Sequence, residues 1–249
     1  MKAALRRFAD GVGDVVFPRT CVHCRGLVET PADEAGGFRH LCGPCVRQLE
    51  YVRPPHCPTC GHPFYGIVEG DRSCPHCVGL APAFRGGRTA VLFKGPARAL
   101  VIELKYHKGL HVLADMAEIF RRTPGLSQHV CGATLVPVPL HPRKARERGY
   151  NQALLLAETL ARVAGGDTRV EPLLRRVVDT ASQTEFDRHT RMANLKNAFA
   201  LTRGAALNST QHYILVDDVF TTGSTLNSCA HALRRAGGLN LDVVTFGHG

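Results

Sequence analysis

The sequence predicts an α/β protein, a parallel sheet flanked by helices, with a metal-braced module ahead of it. Three observations carry that expectation. Eight of the ten cysteines fall as four Cys-x2-Cys pairs before Val78. From Gly87 onward apolar runs alternate with helical periodicity, the pattern of a parallel sheet with crossover helices. Near the C-terminus an apolar strand runs into two adjacent carboxylates and a small polar turn, Asp217-Asp218-Val219-Phe220-Thr221-Thr222-Gly223-Ser224-Thr225.

A chain of 249 residues suits one large domain, or a core of common size with a smaller appendage. Its 44% hydrophobic and 21% charged residues are ordinary for a soluble globular protein. No apolar run approaches the roughly 20 residues that span a bilayer, so stable membrane insertion is not expected. Residues 1–16 begin Met1-Lys2-Ala3-Ala4-Leu5-Arg6-Arg7 and are predicted to form a basic, amphipathic N-terminal helix. They lack the apolar core and cleavage site of a secretion signal, and a cytoplasmic location is expected. The net charge of +10 favours an anionic partner such as a nucleotide, a nucleic acid or a membrane surface. Up to Ala83 there are 9 Lys and Arg against 8 Asp and Glu, so the remainder of the chain carries +9.

Residues 17–80 hold too few apolar side chains for a core of their own, and metal is expected to supply the missing stability. The spacings Cys21-x2-Cys24-x17-Cys42-x2-Cys45 and Cys57-x2-Cys60-x13-Cys74-x2-Cys77 each suit two knuckles closing a tetrahedral thiolate site, so the prediction is a double zinc ribbon with about two structural Zn²⁺. Four thiolates leave no open position for catalysis. Gly61 lets the turn after Cys60 close without a Cβ clash. Tandem pairing of neighbouring knuckles is favoured, with an interleaved arrangement left open by the sequence. His23, His40, His56, His62 and His76 lie nearby but are unnecessary as ligands. Cys131 and Cys229 read as small buried residues.

Residues 87–249 form the second unit. Arg88–Phe93 reads as a strand, and Pro96 opens a helix carrying Leu100, Val101 and Leu104. Thr134–Val138 is a buried strand, followed by a basic proline-containing loop, His141–Glu147 and Arg148, and a helix from about Asn151 to Ala164. A polar excursion from about Asp179 to Thr202 has sparse apolar anchors, Phe186, Leu195 and Phe199. His212–Val216 forms a strand, Ser224–Arg235 a helix ended by Gly237-Gly238, and Leu241–Phe246 a last strand.

The acid pair has a definite chemistry in that setting. Ligands of open α/β sheets collect at the carboxyl edge, where Asp217 and Asp218 can accept hydrogen bonds from the two vicinal hydroxyls of a ribose. The turn Thr221, Thr222, Gly223, Ser224 and Thr225 opens a helix, so its amides and hydroxyls can cradle a 5′-phosphate. A plain cap would not require two carboxylates after a buried strand. The Gly-Lys-Ser/Thr element of a Walker site is missing from this turn.

On these residues the chain resembles type I phosphoribosyltransferases and, more narrowly, the ComF family. The likeness also takes in the cysteine knuckles, Leu104-Lys105-Tyr106 with Gly109, Val136-Pro137-Val138-Pro139-Leu140 leading to Arg148-Gly149-Tyr150-Asn151-Gln152, and Gln183 with Arg188, Arg191, Asn194 and Phe199. The resemblance implies a type I phosphoribosyltransferase-like sheet that binds phosphoribosyl pyrophosphate (PRPP). Asp217 and Asp218 would hold its ribose, and Thr221 to Thr225 its 5′-phosphate. The loop after Val138 would face pyrophosphate, with Arg143, Lys144 and Arg148 as its candidates and Lys105, at a helix end, as site or surface; Mg²⁺ would accompany the ligand. Gln183, Arg188, Arg191 and Asn194 would form a hood over the sugar, where transferases of this kind bind the acceptor, or else belong to a plain polar helix. Transfer would need no covalent nucleophile, only orientation and electrostatic stabilisation. As the alternative, the resemblance implies a part in competence and DNA uptake, in which the chain contacts single-stranded DNA and other uptake proteins while the sugar-diphosphate site regulates or is vestigial.

Overall fold

The computed structural model describes residues 19–28, 37–66, 74–177 and 198–249. The N-terminal helix expected for residues 1–16, and the hood residues Gln183, Arg188, Arg191 and Asn194, lie outside them. Seven strands are described: β1 (Gly87–Leu92), β2 (Thr134–Pro137), β3 (Arg169–Val170), β4 (Leu174–Arg176), β5 (Phe199–Leu201), β6 (His212–Phe220) and β7 (Asn240–His248). Five build a wholly parallel sheet in the order β1-β7-β6-β2-β3, and β4 pairs antiparallel with β5. The α-helices among the described residues are α1 (Gly43–Val46), α2 (Gly95–Tyr106), α3 (Leu113–Arg122), α4 (Leu126–Val130), α5 (Pro142–Arg148), α6 (Gln152–Ala164) and α7 (Ser224–Arg235).

The period of two in β6 and β7 sorts their apolar residues onto two faces. Ile214, Val216, Val244 and Phe246 share a core with Leu100 and Leu104 of α2, Ile119 and Phe120 of α3, and Leu156 and Leu160 of α6. Tyr213, Leu215, Leu241 and Val243 face the other way, onto Leu226 and Leu233 of α7. The cysteines divide in the same manner: Cys21, Cys42 and Cys45 belong to the first core, and Cys57, Cys60, Cys74 and Cys77 to the second. Each ribbon therefore closes one side of the sheet.

The second ribbon docks directly on β1. The Thr89 hydroxyl donates to the Cys60 carbonyl (2.9 Å) and the Gly87 amide to Pro58 (2.8 Å). Gly61, at φ +77°, fills the left-handed turn expected after Cys60, and a Cβ there would lie 2.7 Å from the Thr89 nitrogen. The first ribbon is tied down through a carboxylate. Asp115 of α3 is fully buried and accepts the amides of Arg39 and His40 at 2.8 and 2.9 Å. Replacing Asp115 by alanine leaves those two amides without their carboxylate, at a cost of about 2–4 kcal/mol; urea unfolding of the variant measures it.

Three sequence expectations change here. His141–Arg148 is a short helix rather than a loop: Pro142 occupies its first turn, the His141 ring accepts the Arg143 amide (3.2 Å), Arg143 pairs with Glu147 one turn on (2.9 Å), and Gly149 at φ +87° ends it. The strand carrying the acid pair runs through both acids to Phe220 instead of stopping at Val216, because β7 continues to pair with it as far as His248. Cys131, expected to be buried, is exposed, whereas Cys229 on α7 is buried as expected.

Candidate functional site

The central strand β6 has different neighbours at its far end. Pairing with β2 stops at Pro137 beside Val216, while pairing with β7 runs on to Phe220. From Asp217 onward the β2 side of the strand is therefore an open edge, at the carboxyl end of a parallel sheet, where ligands of this architecture gather.

Strand alternation sends the two acids to opposite faces. Asp218, only 4% exposed, shares the face of Ile214 and Val216. One of its oxygens accepts from the Lys105 ammonium on α2 (2.8 Å), the other from the Gln152 amide on α6 (2.9 Å). Asp217 is half-buried, and one of its oxygens accepts the Asp218 amide (2.8 Å). Burial, reinforced by the neighbouring Asp218 charge, raises its carboxyl to about 8, although the Asp218 amide and Lys105 pull the other way. Burial and the Asp217 charge also push the Cys229 thiol up, leaving it a small apolar filler.

The turn Thr221–Thr225 follows directly. Gly223 sits at φ +68° as the residue before α7, and its amide and those of Ser224 and Thr225 open the helix. The Thr222 and Ser224 hydroxyls are 3.0 Å apart. Thr221 and Thr222 are exposed, and Ser224 and Thr225 partly so. A Cβ on Gly223 would come within 2.5 Å of the Phe220 ring and 2.9 Å of Leu80. Gly223→Ala should therefore cost about 1–3 kcal/mol through strain and overpacking together, which thermal unfolding of the variant checks.

The basic candidates separate into two groups. Lys105 and Arg148 join the acid pair: the Arg148 guanidinium donates to the Gln152 carbonyl oxygen and lies 5.9 Å over the Tyr106 ring, so Tyr106, Arg148, Gln152, Asp218 and Lys105 form one chain of contacts. The Tyr150 hydroxyl donates to the Leu104 carbonyl and the Asn151 amide to Val138 (3.0 Å), fixing α6 against α2 and β2. Arg143 and Lys144 are exposed on α5, and Arg143 is engaged with Glu147. Gln152, noted in the sequence only within the stretch Arg148 to Gln152, is the site residue to which sequence reasoning gives no role. A neutral side chain in a first helical turn carries no charge signal, and its spacing of four from Arg148 does not by itself point to Asp218.

The cysteines form two tandem tetrads, Cys21, Cys24, Cys42 and Cys45, then Cys57, Cys60, Cys74 and Cys77, with the sulfurs of each within 4.8 Å of one another. Individual separations are 3.6 Å for Cys24 to Cys42, 3.4 Å for Cys60 to Cys74, 3.8 Å for Cys74 to Cys77 and 3.9 Å for Cys57 to Cys77. Four sulfurs about 2.3 Å from one tetrahedral zinc stand about 3.8 Å apart, so both tetrads fit structural Zn²⁺. No helix among the described residues is long and apolar enough to cross a membrane.

Residues 12–78 match the double zinc ribbon domain family. Along most of its length the chain is similar to competence protein F of Haemophilus influenzae, 28% identical over 89% of this chain and 93% of the relative. It is 31% identical to the DNA utilization protein YhgH of Salmonella typhimurium over 82% of this chain and 88% of the relative. Competence protein ComFC of Bacillus subtilis is 25% identical over 79% of each. A hypoxanthine phosphoribosyltransferase from Staphylococcus aureus superposes with a TM-score of 0.32 at 16% identity, covering 55% of this chain and 62% of that one, too loose a fit to bear on the site. The Salmonella match, at 207 residues, is longer than the stretch from Gly87 to the C-terminus, so it takes in ribbon and sheet together. With both parts of the architecture inside one continuous likeness, the chain belongs to the ComF family of competence protein F and the YhgH DNA utilization proteins.

Proposed function

We propose that the open end of β6 binds PRPP, with Asp217 and Asp218 on the ribose hydroxyls and Thr221, Thr222, Gly223, Ser224 and Thr225 around the 5′-phosphate. The observation that carries this reading is the juxtaposition of two carboxylates with a helix-opening turn at a strand end left open on its β2 side. A sugar phosphate at that edge meets acceptors for its hydroxyls and amide donors for its phosphate in chain order. Asp218 already accepts from Lys105 and Gln152, yet each carboxylate oxygen has a second lone pair for a hydroxyl. Lys105 keeps one of its three donors on Asp218 and turns the others to pyrophosphate, where Arg148, and Arg143 and Lys144 farther along α5, add positive charge. Asp217 and Asp218 supply the hard oxygen donors that Mg²⁺ prefers. Held there with the ligand, Mg²⁺ would supply positive charge against pyrophosphate. An acceptor would approach the sugar from the side opposite pyrophosphate.

The names of the relatives favour a role in competence or DNA utilization, in which PRPP would be substrate or signal. Arg143, Lys144 and Arg146 on one exposed helix turn offer phosphate contacts to single-stranded DNA.

Calorimetric titration of the full chain with PRPP and Mg²⁺ tests the first reading: binding near micromolar Kd is expected, and no heat at about 1 mM ligand overturns it. Oligonucleotide affinity that falls with a log–log salt slope of about −0.7 per phosphate contact is expected of the DNA role.

A further inference from the structure

We propose a third metal site, built by His62, His76 and His248, for a divalent first-row transition ion with one coordination position left open. His62 follows the third knuckle, His76 lies between Cys74 and Cys77, and His248 ends β7. One ring nitrogen from each falls within 4.8 Å of the others, and the ring centroids are 4.6, 4.8 and 4.9 Å apart.

The buried member is set up as a ligand. His248 is 2% exposed, and its Nε2 lies 3.2 Å from the Cys60 sulfur, while its Nδ1 is buried with no hydrogen-bond partner. With zinc on Cys60 its thiolate could only accept, the Nε2 would carry the proton, and Nδ1 would be left as a bare lone pair. An orphaned buried acceptor is costly unless something occupies it. The ring is held in place by the stacked Phe220 ring at 5.2 Å, whose carbonyl in turn accepts the Gly249 amide (3.0 Å). Metal-binding histidines are typically fixed in this way, one nitrogen on a supporting group and the other on the ion.

Charge favours the same occupant. Four thiolates around a dication leave the second tetrad with an excess of two negative charges, and a cation placed beside Cys60 offsets them. Three nitrogens about 2.1 Å from a tetrahedral ion stand about 3.4 Å apart, so the rings must close inward. His76 is exposed and His62 only partly buried, which leaves both free to turn. Three imidazoles suit Zn²⁺, Co²⁺ or Ni²⁺ and leave a fourth position for water or an anion.

Equilibrium dialysis of the zinc-loaded full chain against micromolar Co²⁺ is the test. Wild type should take up one cobalt beside two retained zincs, with weak visible bands and no thiolate-to-cobalt charge transfer. His62→Ala with His76→Ala should keep two zincs and lose the cobalt. If the double variant also sheds zinc, the exposed His76→Ala decides, with an expected affinity loss exceeding the about 10- to 100-fold that removing a supporting residue causes. No third metal in wild type, equal uptake by the variants, or charge-transfer bands marking entry into a tetrad would overturn the proposal.

Discussion

Cys60→Ser is expected to unfold the sheet together with the second ribbon. A structural zinc contributes about 10–16 kcal/mol to folding, and a whole domain has only about 5–15 kcal/mol in hand. The tetrad cannot be lost in isolation, because Cys57, Cys60, Cys74 and Cys77 share a core with Leu215, Val243 and Leu233. Cys60 also holds the sheet by two routes: its carbonyl accepts Thr89 of β1 and its sulfur contacts His248 of β7. Far-UV circular dichroism with zinc counting should therefore show loss of metal and of sheet signal as one event, and a strong chelator should reproduce it in wild type. Cys131→Ser is the matched control. That thiol is exposed and outside both tetrads, so its effect should stay within about 0.5 kcal/mol. A Cys60→Ser protein that loses zinc but melts like wild type would show that the sheet stands without the ribbon.

How much of this architecture could be read beforehand depended on the range of the interactions. The knuckles were legible because a Cys-x2-Cys turn is a local geometry, and the favoured tandem pairing is the one found. The strands of the parallel sheet were legible as runs such as Thr134–Val138 and His212–Val216, since a strand buried on both faces needs no polar alternation. The strand end was misjudged for a related reason. Asp217 and Asp218 look like a terminus in one dimension, and only β7 pairing beyond them keeps the backbone extended to Phe220. The α5 segment misled through composition, its charges reading as loop while the His141 cap, Pro142 and the Arg143 to Glu147 pair specify a helix.

The polar ties were the least legible. Asp115 meets Arg39 across 76 positions and Gln152 meets Asp218 across 66, and no local pattern announces either. The same holds for His248, which stands 188 positions from Cys60. In each case a single polar side chain acquires its role from the partner that folding brings to it.

The acid pair itself should dominate ligand binding. Hydrogen bonds from ligand hydroxyls to a carboxylate are worth about 1.5–3 kcal/mol each, so Asp217→Asn with Asp218→Asn should raise the Kd for PRPP by at least about 100-fold. Unchanged affinity by calorimetry would remove the site assignment. The raised Asp217 carboxyl, at about 8, adds two pH slopes of opposite sign. An ionised Asp217 is the better acceptor, so below about pH 8 binding must first expel a proton, and affinity should climb from pH 7 to 9. Ligand phosphates, with a second ionisation near 6, are already charged in that window. Folding stability runs the other way. The folded carboxyl binds its proton more tightly than the unfolded one, so this group's contribution is complete below about pH 3.9 and is lost as pH rises through about 8. Asp217→Asn abolishes both slopes while sparing the protein a half-buried charge, so the ligand-free variant should melt higher than wild type at pH 9 even as it binds PRPP less well. A site held at a cost in stability for the sake of its ligand has that pair of signatures; a carboxylate that merely caps the turn would lose stability on the same substitution.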